Sequence, residues 1–156
     1  MHIRIANPAD IPQMHEVRMS VRENQLSDPS RIQLEHYRTM LAQRGQGWVA
    51  EIGDRIVGFG VADYSSSNIW ALFVHPAFEG RGIGRRLHDA MMQWCFEKGA
   101  ARVWLTTSPA TRAERFYESA GWRMVGREAN GESRFEISRE AWSTRSTGPN
   151  KGDGPR

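Results

Sequence analysis

From Leu72 to Leu87 the chain runs from an apolar stretch (Leu72-Phe73-Val74) through His75-Pro76 into Gly80-Arg81-Gly82-Ile83-Gly84-Arg85-Arg86. Those types in that order predict a buried strand, a glycine-rich turn and the first turn of a helix. The chemistry available there is anion binding. Glycines let successive backbone N–H groups converge on one point, and a helix N-terminus adds partial positive charge. A phosphorylated ligand suits such a turn.

Other chemistries lack their spacing. No G-x-x-x-x-G-K-[ST] run occurs, and no acid stands in a defensible dinucleotide-fold position. His2, His15, His36, His75 and His88 show neither H-x-H nor H-x-x-x-H spacing, so no metal site is expected. Cys95 is the single cysteine, which excludes an internal disulfide and fits a reducing compartment.

The elements that must position the turn follow from periodicity and capping. Ile3 and Ile5 flank Arg4 in a short first strand. Asn7-Pro8-Ala9-Asp10 opens a helix with a capping residue, a proline at its first position and an acid placed for a capping box, and Ile11, Met14, Val17 and Val21 recur along it. Arg22 to Ser27 reads as a loop. Asp28-Pro29 starts a second helix carrying Ile32, Tyr37, Met40 and Leu41, with Gly45 as its stop. Strands 48–52 and 55–63 join at Gly53-Asp54, and Ile69–Val74 is apolar enough for a central strand buried on both faces. Leu87, Ala90, Met91 and Trp94 mark one side of the helix after the glycine turn. A strand around Val103-Trp104-Leu105 follows. Next comes a helix over 109–120 with Ala113, Phe116, Tyr117 and Ala120 on one face, then strands 122–127 and 133–138 about an Asn130-Gly131 turn. The order is β-α-α-β-β-β-α-β-α-β-β, an α/β chain with a mixed sheet and helices on its faces. Residues 1–142 form one domain; 143–156 read as a disordered tail of Ser, Thr, Gly, Pro and charge.

The 156 residues, 39% hydrophobic and 25% charged, fit one soluble domain. The net charge of +3 is too small to argue for nucleic acid. Arginine supplies nearly all the positive charge, which suits bidentate contacts to phosphate or carboxylate. No run approaches a membrane span and the N-terminus lacks a secretory signal, so a cytoplasmic location is expected, without membrane or nucleic-acid partners.

The element order, the passage from Val74-His75-Pro76 into Gly80–Gly84, a second stretch from Thr111 to Trp122 of the form A-x-x-F-Y-x-x-x-G-aromatic, and Val57-Gly58-Phe59 together resemble the GNAT superfamily of acyl-CoA-dependent N-acetyltransferases. The resemblance spans roughly residues 2–138. It implies a GNAT fold: a mostly antiparallel mixed sheet of about seven strands with splayed central strands, and about four helices. It implies acetyl-CoA as cosubstrate, no metal, direct attack by a primary amine of a small molecule or peptide, and the homodimer common in the family. The same fold also admits a non-catalytic, regulatory CoA-binding module.

Carried over by position, the turn of Arg81, Gly82, Ile83, Gly84, Arg85 and Arg86 binds the pyrophosphate. Leu72, Phe73 and Val74 pair with the pantetheine arm, and Tyr117 is the general acid for the departing thiolate. Three positions depart from the family pattern. Glu79 replaces an Arg or Gln, Ala110 replaces an Asn for which Thr111 or Ser108 can substitute, and Ala71 replaces a glutamate used by some members as base. The base is therefore sought among Glu23, Asp63 and Glu51. Arg18, Arg22 and Asn24 are candidates for holding an acceptor carboxylate; Arg18 and Arg22, four apart, share a face if the helix persists.

Overall fold

Alternation and caps become structure in the order the sequence predicts. A computed structural model describes residues 1–25 and 32–147 of the chain. Strand β1 is His2–Ile5. The Asn7 side chain accepts from the Ala9 N–H while Asp10 accepts from the Asn7 N–H, closing the expected capping box over a 3₁₀ turn, Pro8–Asp10, that leads into α1 (Ile11–Ser20). Helix α2 is Leu34–Thr39, and a π-helical turn, Met40–Arg44, carries it into β2 (Gly45–Ile52). The expected start at Asp28-Pro29 lies outside the described residues. Next come β3 (Arg55–Asp63), β4 (Asn68–Val74), α3 (Ile83–Glu97), β5 (Arg102–Thr107), α4 (Arg112–Ser119), β6 (Arg123–Arg127) and β7 (Ser133–Ser138).

One seven-stranded sheet has the order β1-β2-β3-β4-β5-β7-β6. Its neighbours are antiparallel except β4 and β5, which are parallel and meet at a single rung, Asn68 opposite Trp104. The Asn68 side-chain Nδ2 donates to the Trp104 carbonyl there (3.1 Å). Beyond that rung the strands diverge. The edge of β4 that faces β5 then has no ladder partner among the described residues. This is the expected splay.

The sheet buries a core on each face. Met91, Leu87, Phe96, Leu105, Tyr117, Trp122 and Phe135 pack beneath α3 and α4. Ile11, Met14, Val17, Tyr37, Phe59, Val61 and Ala71 pack beneath α1 and α2. Glycines on β3 set the height of α3: a Cβ on Gly60 would stand 2.3 Å from the Met91 sulfur, and one on Gly58 would stand 3.2 Å from both Ile83 and Leu87. The N-terminus of α3 therefore rests almost on the sheet, beside the splay.

Two expectations change. Residues 143–147 are not part of a loose tail: they continue a fifth helix, α5 (Arg139–Thr147). Its anchor is Trp142, stacked on Phe96 at 6.3 Å and edge-on to His88 at 6.0 Å, and the Ser138 hydroxyl accepts from the Ala141 N–H at its start. One half-buried aromatic packed on the core outweighs a polar composition. Residues 148–156 lie outside the described residues. Second, α1 ends at Ser20 because Val21 turns extended (ψ 148°), so Arg22 does not share a helix face with Arg18.

Candidate functional site

The splay, the glycine turn and α4 enclose a cleft of about 1010 Å³. Leu72, Phe73 and Val74 form one wall, Gly80, Ile83 and Gly84 the floor, and Arg112, Ala113, Phe116 and Tyr117 the other wall. Gly82 is the N-cap of α3 at φ +78°, and no side chain caps this end. The first backbone bond into the helix is Arg86 N–H to the Gly82 carbonyl (3.1 Å). The N–H groups of Ile83, Gly84 and Arg85 are thus the helix's orphan donors. Ile83 and Gly84 line the cleft together with β4, with the positive end of a fifteen-residue helix behind them. No atom lies within 4 Å of a Cβ built on Gly82, so left-handed backbone rather than crowding calls for glycine here. The fit to a diphosphate with an extended amide-bearing arm is chemical: N–H donors for the anion and an open strand edge for the arm.

Tyr117 sits on the inner face of α4, 6% exposed and packed against Phe116, Trp122 and Phe135. Burial pushes its phenol above the ordinary tyrosine value, and no hydrogen bond from the described residues offsets this. Burial thus favours the protonated hydroxyl, on a residue that lines the cleft. Behind it lies His88, fully buried, with Phe116 and Trp122 around it. Trp122 Nε1–H donates to His88 Nε2 (2.9 Å), which makes that nitrogen the acceptor and leaves Nδ1–H to donate to Asp89 (2.8 Å). Burial holds His88 neutral, with its pKa below the usual range. It positions the wall of aromatics and does not itself line the cleft.

The segment after α1 closes one end. Asn24, at φ +58°, accepts through Oδ1 from the Ser108 N–H (2.8 Å) and from the Thr107 hydroxyl (3.2 Å). Glu23 accepts from the Arg112 N–H at the start of α4 (3.0 Å). Arg22, Glu23 and Asn24 all border the cleft, so this segment is pinned to the end of β5 and the head of α4. Thr111 caps α4, accepting from Glu114 N–H and donating to the Ser108 carbonyl.

The remaining expected site residues scatter. Asp63 lies at the opposite end of β3, paired with Arg44 (2.7 Å) and bonded by Ser65. Burial would raise its pKa, but these donors outweigh that and hold it below the ordinary carboxylate range, so it is a poor base and remote from the cleft. Glu51 pairs with Arg4 (2.9 Å), whose hydrogen bond lowers its pKa, near the β1 edge. Arg81 stacks on Phe78 (5.0 Å), Arg85 pairs with Asp89 (3.2 Å), and Arg86 is exposed; none of the three side chains borders the cleft. Arg18 does not border it either, but stacks on the cleft residue Phe73 (4.2 Å).

Arg112 escaped the sequence reading. It forms an ion pair with Glu79 across the mouth of the cleft, joining the glycine turn to α4. The signal was present: an acid where a donor is usual asks for a cation nearby. Among the described residues no group of three or more His, Cys, Asp or Glu could hold a metal, and no helix is long and apolar enough to cross a membrane.

A family model described as the acetyltransferase (GNAT) family matches residues 11–122. A ycf52-like N-acetyltransferase of Prochlorococcus marinus is 30% identical over 73 residues, which are 45% of this chain and 39% of that protein, so the chain matches well under half of that relative's length. An acetyltransferase of the GNAT family from Staphylococcus aureus Mu50 has the same fold (TM-score 0.75, 20% identity, 88% of this chain and 98% of that one). So does a PaiA N-acetyltransferase from Thermoplasma acidophilum, solved in complex with coenzyme A (TM-score 0.69, 14% identity, 88% and 99%).

Proposed function

The chain belongs to the GNAT acetyltransferase family, and on that premise we propose that it transfers an acetyl group from acetyl-CoA to a primary amine by direct attack. The observation that carries the reading is the convergence, in one cleft, of the uncapped N-terminus of α3, the open edge of β4 and the unengaged hydroxyl of Tyr117.

The chain's own groups divide the work. Backbone N–H groups of residues 82–85 bind the diphosphate, and β4 aligns the arm by strand-like hydrogen bonds. When bound, acetyl-CoA supplies a thioester carbon open to an amine. Tyr117 donates to the sulfur as negative charge develops there. Its raised pKa suits this, because the burial that disfavours a phenolate equally disfavours a free thiolate in the same cleft. Glu23 is the acid of the base candidates that borders the cleft, and it takes up the ammonium proton directly or through water. Cys95 does not form an acyl-enzyme: it is buried on α3 and its thiol is pushed up to about 12.

A second reading, a CoA-binding module without turnover, draws on Ala71 and on the distance of Asp63 and Glu51 from the cleft. Calorimetry with CoA and thiol release from acetyl-CoA over a panel of amines separate the two. Binding with acceptor-dependent thiol release supports the enzyme, binding alone supports the module, and no binding overturns both.

A further inference from the structure

Arg18 has a cation's chemistry and no paired anion among the described residues. Its guanidinium carbon lies 4.2 Å over the centre of the Phe73 ring, and Nη1 is closed off from solvent without a hydrogen-bond partner among the described residues. Arg85 and Arg145 also carry shut-off nitrogens, but both lie against Asp89. No acid forms an ion pair with Arg18 among the described residues. Burial lowers its pKa, and only Tyr37 and Glu132 act on it in the other direction, through space. A guanidinium over a ring face still presents its edge N–H groups in its own plane, a fork matched to a carboxylate.

The surroundings say what the fork faces. Phe73 is a cleft residue, and Ser20 and Val21, just after Arg18 in the chain, border the same cleft. Phe73 packs on the α1 side of the sheet, so Arg18 stands where the α1 layer meets the splay. On neighbouring β5, Val103 and Leu105 enter the core under α3, which turns Thr106 to the α1 side. The Thr106 hydroxyl holds Glu132 through Oε1 (3.0 Å), and Asn130 donates to the same oxygen. Arg18, stacked on a cleft residue, and Glu132, which acts on it through space, place one cation and one acid on the α1 side of the splay, and these match a molecule with an ammonium and a single negative group. A phosphate dianion would leave excess negative charge beside Glu132.

We propose that Arg18 binds the carboxylate of the acceptor, so that the substrate is a small amine carrying a carboxylate, of amino-acid type, rather than a peptide amino terminus. This rests on the acetyl-transfer reading of the cleft. The test takes the full chain and a matched set of amines: an amino acid, its methyl ester, its phosphonate counterpart and a short uncharged peptide. Thiol release and calorimetry are measured for the wild type, for Arg18→Met, which keeps an unbranched apolar stem on Phe73, and for Arg18→Lys, which keeps the charge. The expected result is a preference of about tenfold or more in kcat/KM for the carboxylate over its ester. Arg18→Met should erase that preference and Arg18→Lys should retain part of it, both with unchanged CoA affinity. Equal use of acid and ester, a preference that survives in Arg18→Met, or a better phosphonate or peptide substrate overturns the proposal. If CoA does not bind, the transfer reading fails separately. Calorimetry of the amino acid on the CoA-free chain then still decides: heat lost in Arg18→Met upholds the carboxylate site, and no saturable heat in the wild type overturns it.

Discussion

Replacing Gly82 by alanine separates what the glycine turn does for folding from what it does for binding. Gly82 has φ +78° with no atom within 4 Å of an added Cβ. The folded protein therefore meets no clash, only the left-handed penalty, about 1–2 kcal/mol for an L-residue. For a chain of this size that lowers the melting temperature by roughly 2–4 °C per kcal/mol. Gly53, in the β2–β3 turn at φ +62°, is equally open and does not border the cleft, so Gly53→Ala carries the same strain as a control. In the bound state the two differ. A methyl group at 82 stands before the N–H groups that face the diphosphate. Losing one charged hydrogen bond costs about 1.5–3 kcal/mol, or roughly ten- to a hundredfold in CoA affinity. Melting curves and calorimetric titration of the two variants measure both quantities. Similar stability losses with CoA binding weakened only in Gly82→Ala is the expected outcome. If Gly82→Ala binds CoA within about threefold of Gly53→Ala, the assignment of residues 82–85 to the diphosphate is wrong.

Tyr117→Phe should lower kcat by about a hundredfold or more while leaving CoA affinity and melting temperature near wild type, because the hydroxyl makes no internal hydrogen bond; unchanged turnover removes its role. His88→Phe leaves the Trp122 N–H without its acceptor, a loss of about 1–3 kcal/mol at neutral pH. Since His88 is depressed in the fold, the unfolded chain takes the proton first. This contribution is complete above about pH 6.5 and is lost as pH falls towards the folded value, so His88→Phe should flatten the acid side of the stability profile, and an identical slope counts against it. Asn24→Gly keeps the backbone at φ +58° but removes two hydrogen bonds, for about 1–3 kcal/mol, and Asn24→Ala adds about 1–2 kcal/mol of strain. A glycine variant as stable as wild type in denaturant titration refutes the pinning of this segment.

What could be read from the sequence is what local physics decides. The Asn7–Asp10 box, the helix that starts within the glycine turn and the inward face carrying Tyr117 depend on residues within one or two turns of each other, and each stands where expected. The splay was legible only through resemblance, since nothing in β4 or β5 alone states that their ladder stops after one rung. The acids were misjudged for a different reason. Asp63 and Glu51 are matched by Arg44 and Arg4, nineteen and forty-seven residues away, and such partners are visible only once the sheet brings them together. A shared face for Arg18 and Arg22 depended on the helix persisting, and the backbone leaves the helix at Val21. Helix α5 was hidden because its order comes from a single indole meeting rings on α3.

The lone rung between β4 and β5 has a mechanical meaning. A sheet sewn at one stitch behaves as two panels, strands β1–β4 and strands β5–β7, hinged beside Asn68 and Trp104. A molecule whose amide-bearing arm lies along the open border of β4 supplies the missing thread. Amide exchange should therefore slow on both panels together when the cleft is filled, including at residues the guest never touches, because closing the seam makes them open as one.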